Sequence, residues 1–339
     1  MHAGKNYTLK QVFHYTKREI LVFMLIAFVP TFFYMVLGFK WMTIPWFPIA
    51  LVGTAVAFLI GFKNNASYDR MWEARKIYGG IVNTSRMWGM MARDFITSRI
   101  ADSAVSEDDV KKVHTQMIYR HIAWLTALRH QLRVPKTWER HDDASVKEFM
   151  KYFTIQEHEN SLEEELALVL SDKDLDYILS KSNRATQLIA LQSNELKNLM
   201  DIGLIEDFRH MELENVLKEL LVFQGKAERI KNFPYPRQFA TINRIFVWLF
   251  IILIPFGMFK EFDKLGEYGA WLAIPFTTLI AWVFHTMDKI GESTENPFGS
   301  SANDVPITTI SRGIEIDLRE MLDEKDIPET IAIENYVSL

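Results

Sequence analysis

Hydrophobic residues are concentrated in four long stretches, which form one pair near the start of the chain and a second pair later. The first pair covers residues 20–39 and 41–62, with Lys40 as the charged residue between them. The second pair covers residues 245–259, extended back toward Phe239, and residues 268–287. A helix of about 20 apolar residues spans the hydrocarbon core of a bilayer. The pattern therefore predicts four transmembrane helices, arranged as two hairpins.

The polar region between the hairpins has the periodicity of helices. Apolar residues recur every three or four positions in the stretches 118–132 and 213–221, which places them on one face of a helix. The serine and acidic residues of 102–109 predict a turn that caps a helix, and residues 141–145 are expected to form a loop. In the tail, residues 307–322 predict an amphipathic helix capped by Thr308 or Thr309.

These patterns divide the chain into four parts. We expect an N-terminal segment and first transmembrane hairpin (1–62), a cytosolic helical domain (63–238), a second hairpin (239–289) and a cytosolic tail packing on the helical domain (290–339). The predicted fold class is an all-α integral membrane protein with four transmembrane helices and a large cytosolic helical bundle.

The distribution of basic residues predicts the orientation. Lys and Arg accumulate on cytoplasmic flanks of membrane helices, and here they precede the first and third stretches and follow the second. Both termini and the middle region are therefore expected in the cytoplasm, in a multi-pass protein of a cell inner membrane.

Composition and motifs exclude several kinds of chemistry. The 339 residues include no cysteine, which excludes disulfides, thiolate metal sites and cysteine nucleophiles. No serine-nucleophile elbow, phosphate-binding loop or dinucleotide motif is present, so the protein is not expected to be an enzyme or to carry a cofactor. The net charge of -5 gives no indication of nucleic-acid binding. His114 and His121, seven residues apart on one helical face, leave a membrane-bound metal-binding protein as an alternative.

The second apolar stretch has two distinct faces. Small residues at four-residue spacing would allow another helix to approach closely; they are Gly53, Ala57 and Gly61. The roughly opposite face carries Phe47, Leu51, Ala55 and Phe58. In a ring of identical helices this second face would meet a central axis and gate a pore by dewetting. The alternative is ordinary helix packing or contact with lipid.

Two segments resemble the bestrophin family, especially its bacterial members. One is residues 61–86, GFKNNASYDRMWEARKIYGGIVNTSR, and the other is residues 295–322, ENPFGSSANDVPITTISRGIEIDLREML. The resemblance implies a homopentameric ion channel with one central pore and four membrane helices in each subunit. Its partners would be other copies of the chain, the lipid bilayer and permeating monovalent ions.

The resemblance also implies which residues line the pore. A narrow hydrophobic neck would be formed by Phe47, Leu51 and Ala55, with Phe58 one turn further on. A second constriction at the cytosolic exit would be formed by Phe208, with Ile205 as its neighbour. Animal members carry an acidic calcium clasp after the Asn-Pro-Phe-Gly turn. In the corresponding residues 300–304, Asp304 alone is acidic, so we expect no comparable calcium site.

Ion selectivity is predicted from charge. The net charge of -5 and the acidic runs 163–165 and 206–207 favour monovalent cations such as Na⁺ or K⁺. The alternative within the same fold is an anion (chloride) channel. A non-conducting scaffold protein is a third possibility, besides the metal-binding one.

Overall fold

The computed structural model describes residues 1–4, 6–100, 105–139, 154–299, 301, 303–333, 337 and 338. Within them, secondary structure is helical apart from one isolated β-bridge between His2 and Val337. The α-helices, in chain order, are α1 (Leu9–Met35), α2 (Trp46–Phe95), α3 (Glu107–Arg133), α4 (Gln156–Glu159), α5 (Leu162–Ala167), α6 (Asp172–Leu179), α7 (Arg184–Asp201), α8 (Asp207–Asn232), α9 (Arg237–Asp263), α10 (Ala273–Ser293) and α11 (Ile307–Met321). The predicted loop at 141–145 lies outside the described residues.

The chain divides into two compact units. The membrane-helix unit consists of Gly4–Met71 and Pro234–Asn296, and the bundle unit consists of Met1–Ala3, Trp72–Phe233 and Pro297–Leu339. Helix α2 contributes residues to both units, because the division falls between Met71 and Trp72.

Four helices in the described part of the chain are long and apolar enough to cross a membrane. They lie in Tyr15–Met35, Trp46–Phe95, Arg237–Asp263 and Gly269–Ser293. The all-α fold class with four membrane helices is therefore confirmed. The second of these helices does not end near Phe62, as the apolar pattern indicated, but runs on to Phe95.

The membrane-helix unit has its own apolar core, in which α1 packs on α9 and α10. A Cβ atom on Gly53 would lie 2.7 Å from the ring of Phe250, so α2 approaches α9 closely at this position. Ala57 and Gly61, the other two residues of the predicted small-residue stripe, are exposed in the single chain, so the stripe as a whole stays a prediction. Successive residues four apart turn about 40° around a helix, which carries the stripe off the packed face.

The bundle unit is organised around α3, which contacts α5, α7, α8 and α11. Ser106 caps α3 by accepting a hydrogen bond from the Asp109 backbone N–H at 3.1 Å, as predicted, while residues 101–104 lie outside the described part. Helix α11 also forms as predicted, with Ile314 and Leu318 buried. It begins without a side-chain cap, so the threonine cap was wrong.

A buried ionic cluster joins three helices of the bundle unit. Arg129 of α3 donates to Glu157 Oε1 of α4 at 2.6 Å, and the Thr308 hydroxyl of α11 donates to the same oxygen at 2.6 Å. Burial alone would raise the pKa of Glu157, but the charges of Arg129 and Arg133 and these hydrogen bonds outweigh it, so its pKa is lowered. The carboxylate therefore stays ionised between two arginines.

Candidate pore-lining surface

One face of α2 exposes bulky apolar side chains in the membrane-helix unit. Phe47, Leu51, Phe58 and Phe62 are 73%, 56%, 65% and 68% exposed. At 100° per residue these four positions fall within an arc of about 60°. We call these four residues the α2 stripe. The stripe is an apolar surface that the described residues of the chain leave largely uncovered.

The opposite face of α2 is packed. Ile49, Val56 and Ile60 are buried in the core that α2 shares with α9 and α10. Both faces of this part of α2 are therefore apolar, and they differ in burial: one packs in the core and the other is exposed.

Three of the four predicted neck residues belong to the α2 stripe, and the fourth lies at its edge. Phe47, Leu51 and Phe58 belong to it, while Ala55 is exposed at its edge, about 60° from Phe58 around the helix. Phe62 was missed. The signal for it was available, because it follows Phe58 at four-residue spacing, but the resemblance pointed only to the first three neck positions.

The exposed face of α2 becomes polar after the stripe. Asn65 and Asp69 are exposed, and they continue the same side of the helix within the membrane-helix unit. Asn65 lies seven residues beyond Phe58 and so within about 20° of it around the helix axis. A molecule following this face would pass from an apolar stretch to a polar one.

The residues predicted for the second constriction separate in the bundle unit. Phe208, in the first turn of α8, is 82% exposed. Ile205 is 3% exposed and belongs to the apolar core, so it does not present a side chain to solvent beside Phe208. The exposed apolar neighbours in sequence are Ile202 and Met211, neither of which the sequence indicated. Met211 was detectable, since it lies one helical turn after Phe208.

A tight turn sets the position of Phe208. Gly203 has a φ of 75°, the left-handed conformation that commonly ends a helix, and its N–H donates to Met200 O at 2.9 Å. The Leu204 N–H donates to Leu199 O, and the Thr97 N–H donates to Leu204 O, both at 2.9 Å. The Ile205 side chain is buried in the core and anchors the turn. Phe208 therefore projects from a backbone that these hydrogen bonds and this buried side chain hold in place.

The histidine pair has separate environments. His114 Nε2 lies 2.9 Å from Ile96 O, whereas His121 is fully buried with its ring 5.1 Å from Trp124 and 6.2 Å from Trp88. Burial lowers the pKa of His121 to about 3. In the described residues no three His, Asp or Glu side chains are grouped as metal ligands. Nothing in this arrangement supports the metal-binding alternative.

The calcium-clasp segment is partly outside the described residues, which omit positions 300 and 302. Asp304 is buried, and it accepts hydrogen bonds from the Ser301 N–H at 2.9 Å and the Ser301 hydroxyl at 2.5 Å. Burial raises the pKa of Asp304, although the Ser301 hydrogen bonds oppose this. The carboxylate closes a local turn.

The acidic run on α5 is engaged in local structure. Glu164 forms a capping box with Ser161. Glu165 pairs with Arg129, and His130 Nε2 lies 3.4 Å from its second oxygen. Two of the three carboxylates are therefore used in capping and ion pairing, which weakens their assignment as cation attractors.

A family model for "Bacterial/Fungal Bestrophin protein" matches residues 9–320. The chain belongs to the bacterial and fungal bestrophin family. Relatives of this bestrophin include the "Voltage-dependent anion channel-forming protein YneE" of Escherichia coli (strain K12), 27% identical over 292 residues, or 86% of this chain and 82% of that protein. The protein of the same name from Salmonella typhi is 28% identical over 295 residues, covering 87% and 82%.

Solved structures show the same fold. A bacterial bestrophin homologue from Klebsiella pneumoniae matches this bestrophin with a TM-score of 0.72 at 23% identity, covering 93% of this chain and all of the other. A further crystal structure, of a chain described as a membrane protein, matches with a TM-score of 0.75 at 22% identity, covering 92% of this chain and all of the other.

Proposed function

We propose that this bestrophin is an ion channel in which copies of the chain surround one pore lined by the α2 stripe. The observation that carries the proposal is the set of four bulky apolar side chains exposed on one face of α2. A single subunit cannot enclose a path with one helix, so the proposal requires a ring of copies. The family resemblance makes that ring a homopentamer.

In such a ring the stripe forms a hydrophobic neck. Stacked apolar side chains disfavour water in a narrow pore and gate it by dewetting. The stripe residues Phe47, Leu51, Phe58 and Phe62 would form the narrow layers, and Ala55 would leave a wider one. The polar continuation at Asn65 and Asp69 gives ions a hydrated surface beyond the neck.

Phe208 would form a second constriction in the bundle unit. Its ring is almost fully exposed on the first turn of α8, in a position fixed by the Gly203 turn. Ile202 and Met211, close to it in the sequence, are exposed apolar residues as well. Ile205 contributes by anchoring the turn and not by lining.

The permeating ion in this proposal is an anion. The printed names of the relatives describe anion channel-forming proteins, which favours the alternative over the expected cation selectivity. That expectation depended on the net charge of -5. Net charge counts every carboxylate equally, yet Glu164 caps a helix and Glu165 is paired with Arg129.

Reversal potentials test both conduction and the sign of selectivity. Purified protein in a planar bilayer with a tenfold NaCl gradient should give currents that reverse near the chloride equilibrium potential, about 59 mV from zero. Reversal near the sodium potential would make the channel cation-selective. Absence of currents from a verified oligomer would remove the channel proposal.

Substitution of the stripe tests the neck. Phe58→Ala and Phe62→Ala should increase unitary conductance or open probability, since each removes a ring of bulky side chains. Phe246→Ala is the matched control, because Phe246 is an exposed phenylalanine on α9, outside the stripe. If the control changes conduction as much as the stripe variants do, α2 does not line the path.

The proposed channel lies in the inner membrane with both termini, residues 63–238 and residues 290–339 in the cytoplasm. The basic flanks support this orientation. Since the chain lacks cysteine, Lys40→Cys and Arg99→Cys can be labelled singly with an impermeant thiol reagent in spheroplasts. Labelling of position 40 alone is expected, and labelling of position 99 alone would reverse the topology.

A further inference from the structure

The packed face of α2 carries a buried lysine directly after the stripe. Lys63 is 1% exposed, and its ammonium lies 2.7 Å from Asp288 Oδ1 and 3.5 Å from Glu292 Oε1, both on α10. Asn243 of α9 donates to the same Asp288 oxygen at 2.7 Å. One side chain of α2 is therefore held by both helices behind it.

The neighbouring backbone is shaped to admit this contact. Gly291 of α10 faces Lys63 and Asn64, and a Cβ atom there would overlap the Asn64 amide oxygen. The Asn64 amide also donates to Met287 O at 3.1 Å. The lack of a side chain at position 291 allows α2 and α10 to approach at the level of the ion pair.

A second basic residue on the same side of α2 makes a hydrogen bond to the backbone after α10. Arg70 lies seven residues after Lys63, within about 20° of it around the helix. Its Nε donates to Glu295 O at 3.0 Å, and the Glu295 carboxylate pairs with Arg237. The Lys63 ion pair and the Arg70 hydrogen bond therefore both hold this part of α2.

The ion pair and the stripe are on different sides of one helix. Lys63 lies about 140° from Phe58 around the axis. A rotation of α2 that moved the stripe would withdraw Lys63 from Asp288 and separate two buried opposite charges, which is strongly unfavourable. The pair therefore favours one rotation of the helix.

We propose that Lys63 is a positioning residue, which fixes the rotation of α2 and thereby determines the side chains that face the pore. The inference deepens the proposed channel function and rests on it for the identity of the pore. The rotation itself is measurable whether or not the protein conducts.

Spin labels on α2 measure the rotation. Because the chain lacks cysteine, labels are attached singly at Phe58→Cys on the stripe and at Ile60→Cys on the packed face, in oligomers reconstituted in liposomes. Accessibility is read with a water-soluble nickel chelate and with oxygen, which partitions into lipid. In the parent protein, position 58 should be accessible and position 60 protected. Access of the nickel chelate to position 58 supports the pore. Access of oxygen alone, together with no conduction by the same oligomer, places the stripe in lipid.

Lys63→Met should reduce the accessibility contrast between positions 58 and 60 about fivefold or more. Lys63→Arg keeps the charge and should retain the parent contrast. A contrast that is lost in Lys63→Met and kept in Lys63→Arg would point to the charge and not to packing volume alone. Unitary conductance should change in Lys63→Met and not in Lys63→Arg. An unchanged contrast in a folded Lys63→Met oligomer overturns the positioning role, even if the parent conducts.

A milder pair of variants covers the case in which Lys63→Met does not assemble. Asp288→Asn keeps the side-chain volume and removes the nearer of the two acidic partners of Lys63, so it should lower the contrast in the same direction. The exchanged pair Lys63→Asp with Asp288→Lys should recover part of the accessibility contrast that is lost in Asp288→Asn. If Asp288→Asn matches the parent and the exchanged pair has no effect, the ion pair does not set the rotation.

Discussion

The ring of Phe250 fills the space that a side chain at position 53 would need, since a Cβ atom on Gly53 would lie 2.7 Å from two ring carbons. Gly53→Ala should therefore destabilise the membrane-helix unit by about 1–3 kcal/mol through overpacking. At Gly61, on the same helix, such a Cβ would meet no described atom within 4 Å apart from its chain neighbours and the backbone of its own helix. Gly61→Ala should be neutral or stabilising by up to about 1 kcal/mol, because alanine favours helix.

Thermal unfolding of the two variants in one detergent distinguishes them. Gly53→Ala should lower Tm, and Gly61→Ala should leave it unchanged or raise it. Equal shifts would mean that the contact between α2 and α9 is not close at Gly53.

The imidazole of His121 predicts an acid-sensitive stability. Its pKa is lowered by burial to about 3, whereas a histidine in an unfolded chain titrates near about 6.5. Below that value the unfolded state binds more protons, so the free energy of unfolding falls as pH decreases from about 6.5 toward about 3. The loss is about 1.4 kcal/mol per pH unit.

His121→Phe removes the titrating group and keeps an aromatic ring between Trp88 and Trp124. Between pH 7.5 and pH 5.0 the parent should lose about 2 kcal/mol more than this variant. Denaturant unfolding at the two pH values measures the difference. Parallel losses would show that another group controls acid sensitivity.

Truncation of Ile205 is expected to lower stability, whereas truncation of Phe208 is expected to change conductance. Ile205→Ala leaves a cavity in the core of the bundle unit and should cost about 2–4 kcal/mol. Phe208→Ala changes an exposed side chain and should alter stability by less than about 0.5 kcal/mol, while it increases single-channel conductance. Unfolding and bilayer recordings on both variants test the pair. A conductance unaffected by Phe208→Ala would place the second constriction elsewhere.

Glu157→Gln should be among the most destabilising charge changes in the bundle unit. The substitution leaves Arg129 and Arg133 buried with less compensating charge, at a cost of about 3–5 kcal/mol. Asp94→Asn is the matched control, because the Arg93–Asp94 pair is exposed at 2.8 Å and should contribute less than about 1 kcal/mol. Similar unfolding midpoints for the two variants would contradict the role of the buried cluster.

The four membrane helices were predictable because uninterrupted apolar length is a strong signal. The end of the second helix was not predictable, since a lysine after a long apolar stretch, here Lys63, looks like the boundary of a membrane helix. A lysine ends an apolar run in sequence, but here its ammonium is neutralised by Asp288 and the helix continues to Phe95. Long-range partners of this kind are not visible in local composition.

The candidate site was predictable only where helix geometry decides exposure. Phe47, Leu51 and Phe58 share a face by spacing alone, and the structure exposes all three. Ile205 was assigned by its proximity to Phe208 in sequence. Proximity says nothing about direction at a turn, and the left-handed Gly203 turns Ile205 into the core while Phe208 stays outside.

Because the Gly203 turn holds the backbone, position 208 should tolerate side chains of different size. Its backbone is held by hydrogen bonds that involve no side chain of residue 208, and its ring contributes little to the core. A series from glycine to tryptophan at this one site would vary a steric diameter in graded steps while leaving the scaffold intact. In the proposed channel, substitutions at this position would change conductance while the core of the bundle unit stays packed.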